Sequence, residues 1–369
     1  MNESLPSQRM LPPGCTVYIT LGGPPPSSVF LIFLAVISIV TFPFTAALNT
    51  LVIVAVKTKS RMRAIKSNIL LACLATTDLM VGVIVQPMFI ASVIIIVQGK
   101  ITTKSCVFQK ITQHFTSVLR DTSLIHLALI CGERYLLMKR TFSYNTALVT
   151  EARLLTCSAL AWLCSLILHI PLIIDRNVFF LITNVFTGLY IVFIIFCQIT
   201  VYREVGRHEK QLSTQQVTEE ARQKILKDKK AFKLTAIMVS LLFICYIPVC
   251  VFRVILINVR SIMSIQTAYA CIYSAVWLVI LNSFLNPIVY SVRMRQFRVA
   301  FVELTCRTTN IAEAEEIEMR MRVFGSNNAV GQARQRQERA QQNTEQGNVN
   351  NCNNDNTEML AQHKILSNN

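Results

Sequence analysis

The sequence predicts an all-α membrane protein: a bundle of seven transmembrane helices followed by a short amphipathic eighth helix. Three observations predict it. Of 369 residues, 53% are hydrophobic and 15% charged, with a mean hydropathy of +0.47, whereas a soluble domain carries about a quarter charged residues. Charge is nearly absent from long runs and gathered between them. Seven such runs lie near 30–56, 67–97, 107–138, 154–174, 178–202, 231–257 and 267–291, and each reaches the ~20 residues a helix needs to cross a bilayer. Helices are expected because a spanning segment has to satisfy its own backbone polar groups.

Lys and Arg set the orientation. The connection after the first run holds Lys57, Lys59, Arg61, Arg63 and Lys66, and that after the third holds Lys139, Arg140 and Arg153. Nine basic residues lie from Arg203 to Lys233, and Arg293, Arg295 and Arg298 follow the seventh run. The other side is poorer, with Arg9, Lys100, Lys104, Lys110, Arg176 and Arg260. The expectation is a multi-pass plasma-membrane protein with its N-terminus outside and its C-terminus inside. The net charge of +16 then meets anionic membrane lipid at the cytoplasmic rim and calls for no nucleic acid. The segment from Met1 to Ser28 lacks the pattern of a cleavable signal peptide, so the first helix is read as its own insertion signal. Asn2-Glu3-Ser4 is a glycosylation acceptor pattern, usable only outside. The chain divides into an extracellular segment over 1–28, a helical body over 29–306 and a cytoplasmic tail over 307–369. The tail is rich in Asn, Gln and Glu after Gly325, a composition that cannot bury a core; Ile311 to Arg322 is charged and can form a short helix.

Each helix carries polar residues that a membrane makes expensive. The first has Asn49, the second Asp78. The third holds Ser123 and ends Glu133-Arg134-Tyr135. The fourth has Trp162. Between the fourth and fifth lie only Asp175, Arg176 and Asn177 as a very short loop. The fifth contains no proline. The sixth has Cys245-Tyr246-Ile247-Pro248, in which Pro248 removes a backbone hydrogen bond and kinks the helix. The seventh has Asn282, Ser283 and then Asn286-Pro287-Ile288-Val289-Tyr290. Arg293 to Cys306 is a basic amphipathic stretch with Phe297, Phe301 and Leu304 on its apolar side. Cys306 closes it and is a palmitoylation candidate, with an unmodified thiol as the alternative.

Taken in order, these motifs resemble the rhodopsin-like (class A) G-protein-coupled receptors, over roughly residues 30–306. The resemblance implies a receptor that binds an extracellular small-molecule, lipid or peptide ligand and activates a heterotrimeric G protein by outward movement of the sixth helix. It implies no enzymatic activity and no cofactor. It also implies a sodium ion held by Asp78, Ser123, Asn282, Ser283 and Asn286, a set of carboxylate, hydroxyl and amide oxygens suited to a hard cation; a hydrogen-bonded polar cluster with Asp78 protonated is the alternative. In the family Arg134 pairs with an acid at the foot of the sixth helix when the receptor is off, and Asp228, 20 residues before Pro248, fits that place. Glu133, Arg134, Tyr135, Asp228, Asn286, Pro287 and Tyr290 would form the coupling switch, and Tyr246 with Pro248 the toggle, Tyr246 standing where the family usually has Trp.

Three departures follow. Cys106 precedes Arg134 by about one helical turn more than the family spacing, and no Cys between Cys164 and Cys197 offers the usual loop partner. Cys106 is left to pair with Cys15, the preferred reading, or Cys271, or to stay free. The short second loop, the missing loop Cys and the proline-free fifth helix are similar to the melanocortin, lysophospholipid and cannabinoid receptors. The position of the amine-binding Asp is Thr116. Below it stand Arg120 and Asp121, adjacent residues that do not face each other on a helix, so each is expected to need its own partner. Arg120 and Arg253 suit an anionic ligand group. Thr116, Arg120, Asp121, Tyr246 and Arg253 are the ligand-pocket candidates, with an internal salt-bridge network as the alternative. Residues 267–291 contain no Lys for a retinal Schiff base, which argues against an opsin. A seven-helix transporter or channel, or a non-signalling receptor-like scaffold, are the competing readings; the first lacks the inverted repeats and broken helices of that class.

Overall fold

The computed structural model describes residues 28–100, 102–139, 150–170, 176–214, 219–258, 265–306 and 311–321. Its regular elements are helices, with no strand among the described residues. In chain order they are α1 (Ser28–Thr58), α2 (Lys66–Val97), α3 (Thr103–Lys139), α4 (Glu151–Leu168), α5 (Arg176–Thr214), α6 (Glu219–Asn258), α7 (Ile265–Arg293) and α8 (Arg295–Thr305). A single helical turn, Ser60–Arg63, joins α1 to α2. The chain falls into two compact units, residues 1–301 and 302–369. The bundle lies in the first. The second includes a helix over 311–321, where Arg320 pairs with Glu316 at 2.7 Å.

Among the described residues six helices are long and apolar enough to cross a membrane. The seventh, α3, falls short for a physical reason: it carries the interior. It packs against α2, α4, α5, α6 and α7. Thr112, Thr116, Ser117, Arg120, Asp121, Thr122, Ser123 and His126 are all buried on it. Helices at the rim show the opposite pattern. Phe33, Val36, Val40 and Phe44 on α1 and Val185, Leu189, Val192, Phe196 and Ile199 on α5 are exposed, an apolar surface that only lipid covers at no cost. α7 packs on α6, α1 and α2 and closes the ring. Hydroxyls inside the spans donate to carbonyls one turn back, as Ser38 does to Leu34 and Thr45 to Thr41 at 2.8 and 2.9 Å, so burial leaves them satisfied.

α2 contains a π-turn at Val81–Val85. Pro87 follows it and has no N–H to return to the helix, and the wider turn accommodates that loss. Gly82 lies in this turn against α1. A Cβ there would stand 3.1 Å from Thr45 Cγ2 and 3.5 Å from the Ala46 backbone nitrogen. Gly82→Val is therefore expected to overpack the α1–α2 contact and to lower stability by about 1–3 kcal/mol. Heating the purified protein in steps and measuring the surviving monodisperse fraction checks this; an unchanged melting profile would show that α1 gives way freely.

Several ends differ from the sequence reading. α5 runs on to Thr214 and α6 begins at Glu219, well outside 178–202 and 231–257. Hydropathy marks where lipid stops, whereas a helix continues into water while its residues allow it. α4 ends at Leu168 with His169 as its cap, short of 174, since Pro171 lies just ahead. Arg176 and Asn177 begin α5 and are not loop; 171–175 lie outside the described residues.

Candidate functional site

Three buried polar clusters lie along α3. The central one joins α1, α2 and α7. Asp78 is fully buried and accepts a 2.8 Å hydrogen bond from Asn286 Nδ2 on its Oδ2. Asn49 donates to the Thr45 and Ser283 carbonyls at 2.9 and 3.2 Å. Ser123, Asn282 and Ser283 are buried as well. The Ser283 side chain also hydrogen-bonds the Asp78 carboxylate, and among the described residues Asp78 Oδ1 and Asn49 Oδ1 lack a partner within hydrogen-bond geometry, two acceptors whose burial unpaired is costly.

The second cluster lies roughly 21 Å along α3 from Arg134, at 1.5 Å per residue. Arg120 Nε donates to Asp121 Oδ1 at 2.7 Å, and the two side chains are 7% and 6% exposed. This corrects the expectation that the two would not pair. Neighbouring side chains diverge on a solvated helix, but here both are dry, and an uncompensated buried charge costs several kcal/mol, more than a bent rotamer does. The second carboxylate oxygen lies 3.5 Å from His169 Nε2. His169 Nδ1 is 2.7 Å from the Ser165 carbonyl and so donates to it, and its ring meets His114 edge-on at 5.9 Å. Tyr246 is buried, and its hydroxyl donates to the Arg120 carbonyl at 3.0 Å, tying α6 to α3. Arg120 Nη2 is buried without a partner among the described residues. Thr116 is buried and turns its hydroxyl to its own helix, onto the Thr112 carbonyl at 2.7 Å.

The third cluster sits at the end of α3. Ser67 of α2 donates to Glu133 Oε1 at 2.7 Å, and Glu133 Oε2 lies 3.4 Å from Arg134 Nε. The ring of Tyr135 packs on Phe196 of α5, 5.7 Å between centroids. Tyr290 is fully buried with its ring 5.8 Å from Phe297 at the start of α8, and its hydroxyl lacks a partner among the described residues. Pro248 and Pro287 lie inside α6 and α7.

The side chains of Asp228 and Arg253 lie outside the described residues, as do Asn2 and Cys15. Cys106 is disulfide-bonded to a partner also outside them. Cys271 carries a free thiol, so the Cys106–Cys271 alternative is overturned. Cys306 is exposed and free. Among the described residues no three His, Cys, Asp or Glu side chains gather to hold a metal; a sodium site needs no such group, because hydroxyl and amide oxygens complete it. Reading the sequence missed His169, Ser67 and His126. A histidine within a span is itself a flag: His126 donates from Nδ1 to the Thr122 carbonyl and accepts from Ser158 of α4, both at 2.8 Å.

Comparison with known proteins agrees with this layout. The profile of the "7 transmembrane receptor (rhodopsin family)" matches residues 48–180 and 174–290. The adenosine receptor A2b of Gallus gallus is 26% identical over 74% of this chain and 89% of its own length. The histamine H2 receptor of Cavia porcellus is 24% identical over 80% and 85%, and the adenosine receptor A2a of Equus caballus 26% identical over 69% and 67%. These relatives are receptors and not enzymes. An α3 that carries its charges inward, a carboxylate shared between α2 and α7 and an Arg held at the end of α3 thus occur in a chain that belongs to the rhodopsin family of seven-transmembrane receptors.

Proposed function

We propose that this receptor sits in the plasma membrane with its N-terminus outside, binds an extracellular ligand and activates heterotrimeric G proteins. The observation that carries the reading is the Ser67–Glu133–Arg134 chain at the end of α3. It holds the one Arg of the motif by a neighbour on the same helix, a contact that can break without unfolding anything, which is what a two-state element requires. The basic connections support the orientation. The ligand side is the Arg120–Asp121 region. Asp121 is already paired, and Thr116 replaces the amine-binding carboxylate, so a monoamine is disfavoured despite the histamine receptor among the relatives. The unpartnered Arg120 Nη2 favours a ligand that presents a hydrogen-bond acceptor. The likeness to melanocortin, lysophospholipid and cannabinoid receptors rests on the proline-free α5 and the missing loop Cys, while the relatives above are adenosine and histamine receptors; it is a proposal about lineage only.

The unpaired Asp78 Oδ1 and Asn49 Oδ1 fit a sodium ion bound by Asp78, Ser123, Asn282, Ser283 and Asn286. Such an ion would supply positive charge to a buried carboxylate and favour the inactive packing of α2 on α7. In membranes from cells making this chain, nucleotide exchange on added G proteins is expected to exceed that in control membranes. Sodium is expected to lower the excess, and Asp78→Asn to remove that sodium effect. Exchange equal to control with every G-protein subtype would sink the receptor reading in favour of a silent scaffold; exchange indifferent to sodium in the wild type would sink the ion alone.

A further inference from the structure

Where α5 and α6 leave the bundle they enclose a pocket of about 660 Å³. Five cations line it: Arg203, Arg207 and Lys210 from α5, and Lys229 and Lys233 from α6. Arg207 is met by Glu204 of its own helix at 3.1 Å. Tyr202 and Phe232 complete the lining, their rings 6.0 Å apart. Val192, Ile199 and Tyr202 form one exposed face of α5, and Ile247, Ile244 and Lys233 continue along one exposed face of α6. The pocket thus lies at the foot of an apolar surface shared by α5 and α6. Gly206 lines it beside open space: a Cβ there would meet nothing within 4 Å.

We propose that this pocket binds the headgroup of an anionic membrane phospholipid that carries more than one phosphate, with its acyl chains along α5 and α6. Arg203 and Lys233 face the same cavity as Arg207, Lys210 and Lys229, a lining of one sign, and phosphates pair well with clustered Arg and Lys. The apolar face above the pocket suits acyl chains and gives a soluble anion nothing. The placement in the cytoplasmic leaflet rests on the orientation proposed above.

The test uses the full-length receptor in phosphatidylcholine nanodiscs, titrated with fluorescent phosphatidylinositol bisphosphate and, at matched total charge, with phosphatidylserine. The bisphosphate lipid is expected to bind more tightly than phosphatidylserine, and soluble inositol trisphosphate more weakly than the lipid. Arg203→Gln and Lys233→Gln are each expected to weaken binding about fivefold. Gly206→Trp keeps every charge, replaces a poor helix former and fills the pocket, and is expected to abolish the preference for the bisphosphate. Equal binding of the two lipids, with Gly206→Trp indistinguishable from wild type, would show diffuse surface attraction and overturn the proposal. Variants that keep lipid affinity but lose G-protein activation would assign the pocket to a protein and overturn it equally. A C-terminal tag stained on intact cells would defeat the orientation while leaving the lipid result standing.

Discussion

Asp121→Leu is expected to be the most damaging single substitution in the bundle, costing about 3–5 kcal/mol, because it strands a buried guanidinium. The Arg120 and Asp121 side chains are 7% and 6% exposed and 2.7 Å apart, so neither has water to fall back on. Arg120→Met is expected to cost less. It leaves Asp121 with His169, whose Nε2 lies 3.5 Å from the free carboxylate oxygen and can donate to it when protonated. The cap position of His169 at the C-terminal end of α4 favours that cation further. Arg120→Met should therefore be more stable in mildly acidic than in neutral buffer, and Asp121→Leu should not show that gain. The double replacement Arg120→Met/Asp121→Leu is expected to recover most of the loss, since a buried pair exchanged for apolar residues of similar size is often neutral. Thermal denaturation of the purified variants at two pH values measures all three. A double variant no more stable than Asp121→Leu would mean that the pair does not act as a closed unit, and equal, pH-independent losses in the two single variants would remove His169 from it.

This pair marks the boundary of what can be read from the chain. The seven spans and the ends of α3 and α7 are legible because lipid is an unforgiving solvent: each buried charge or amide stands out against an apolar run. Asn49, Asp78, Ser283 and Asn286 stand out as a polar set in the sequence, and hydrogen bonds link them. The adjacent charges of α3 mislead because the rule that neighbours diverge comes from solvated helices. In a dry interior the cost of an unpaired charge overrides it. Helix ends are misjudged at α5 and α6 because nothing in hydropathy distinguishes a helix that stops from one that leaves the membrane. The role of His169 is not legible: its partner Asp121 belongs to another helix, far away in the chain, and only packing brings them together. The pocket around Gly206 is equally hidden, since a run of basic residues in sequence does not reveal which of them share a cavity.

Arg134→Ala is expected to lower G-protein activation to the level of control membranes, and Glu133→Gln to raise it without any added ligand. The two expectations come from one contact. Glu133 lies between Ser67 of α2, at 2.7 Å, and Arg134, at 3.4 Å. Its hydrogen bond to Ser67 survives in Gln, while its attraction for Arg134 does not. If that attraction, between a buried Glu133 and a 15% exposed Arg134 at the long distance of 3.4 Å, holds the receptor in its inactive packing and contributes about 1 kcal/mol, its loss shifts the two-state balance about fivefold toward the active side. Ser67→Ala loosens the same carboxylate while leaving its charge, so it should produce a smaller rise than Glu133→Gln. Asp228→Ala tests the second restraint that the family resemblance implies. A rise from both Glu133→Gln and Asp228→Ala, and a larger one from the double variant, would give Arg134 two independent holders. A rise from Asp228→Ala alone would show that the Glu133 contact is spectator geometry. If Glu133→Gln instead silenced the receptor as Arg134→Ala does, the carboxylate would be required for coupling, and the reading of Ser67–Glu133–Arg134 as a restraint would be wrong.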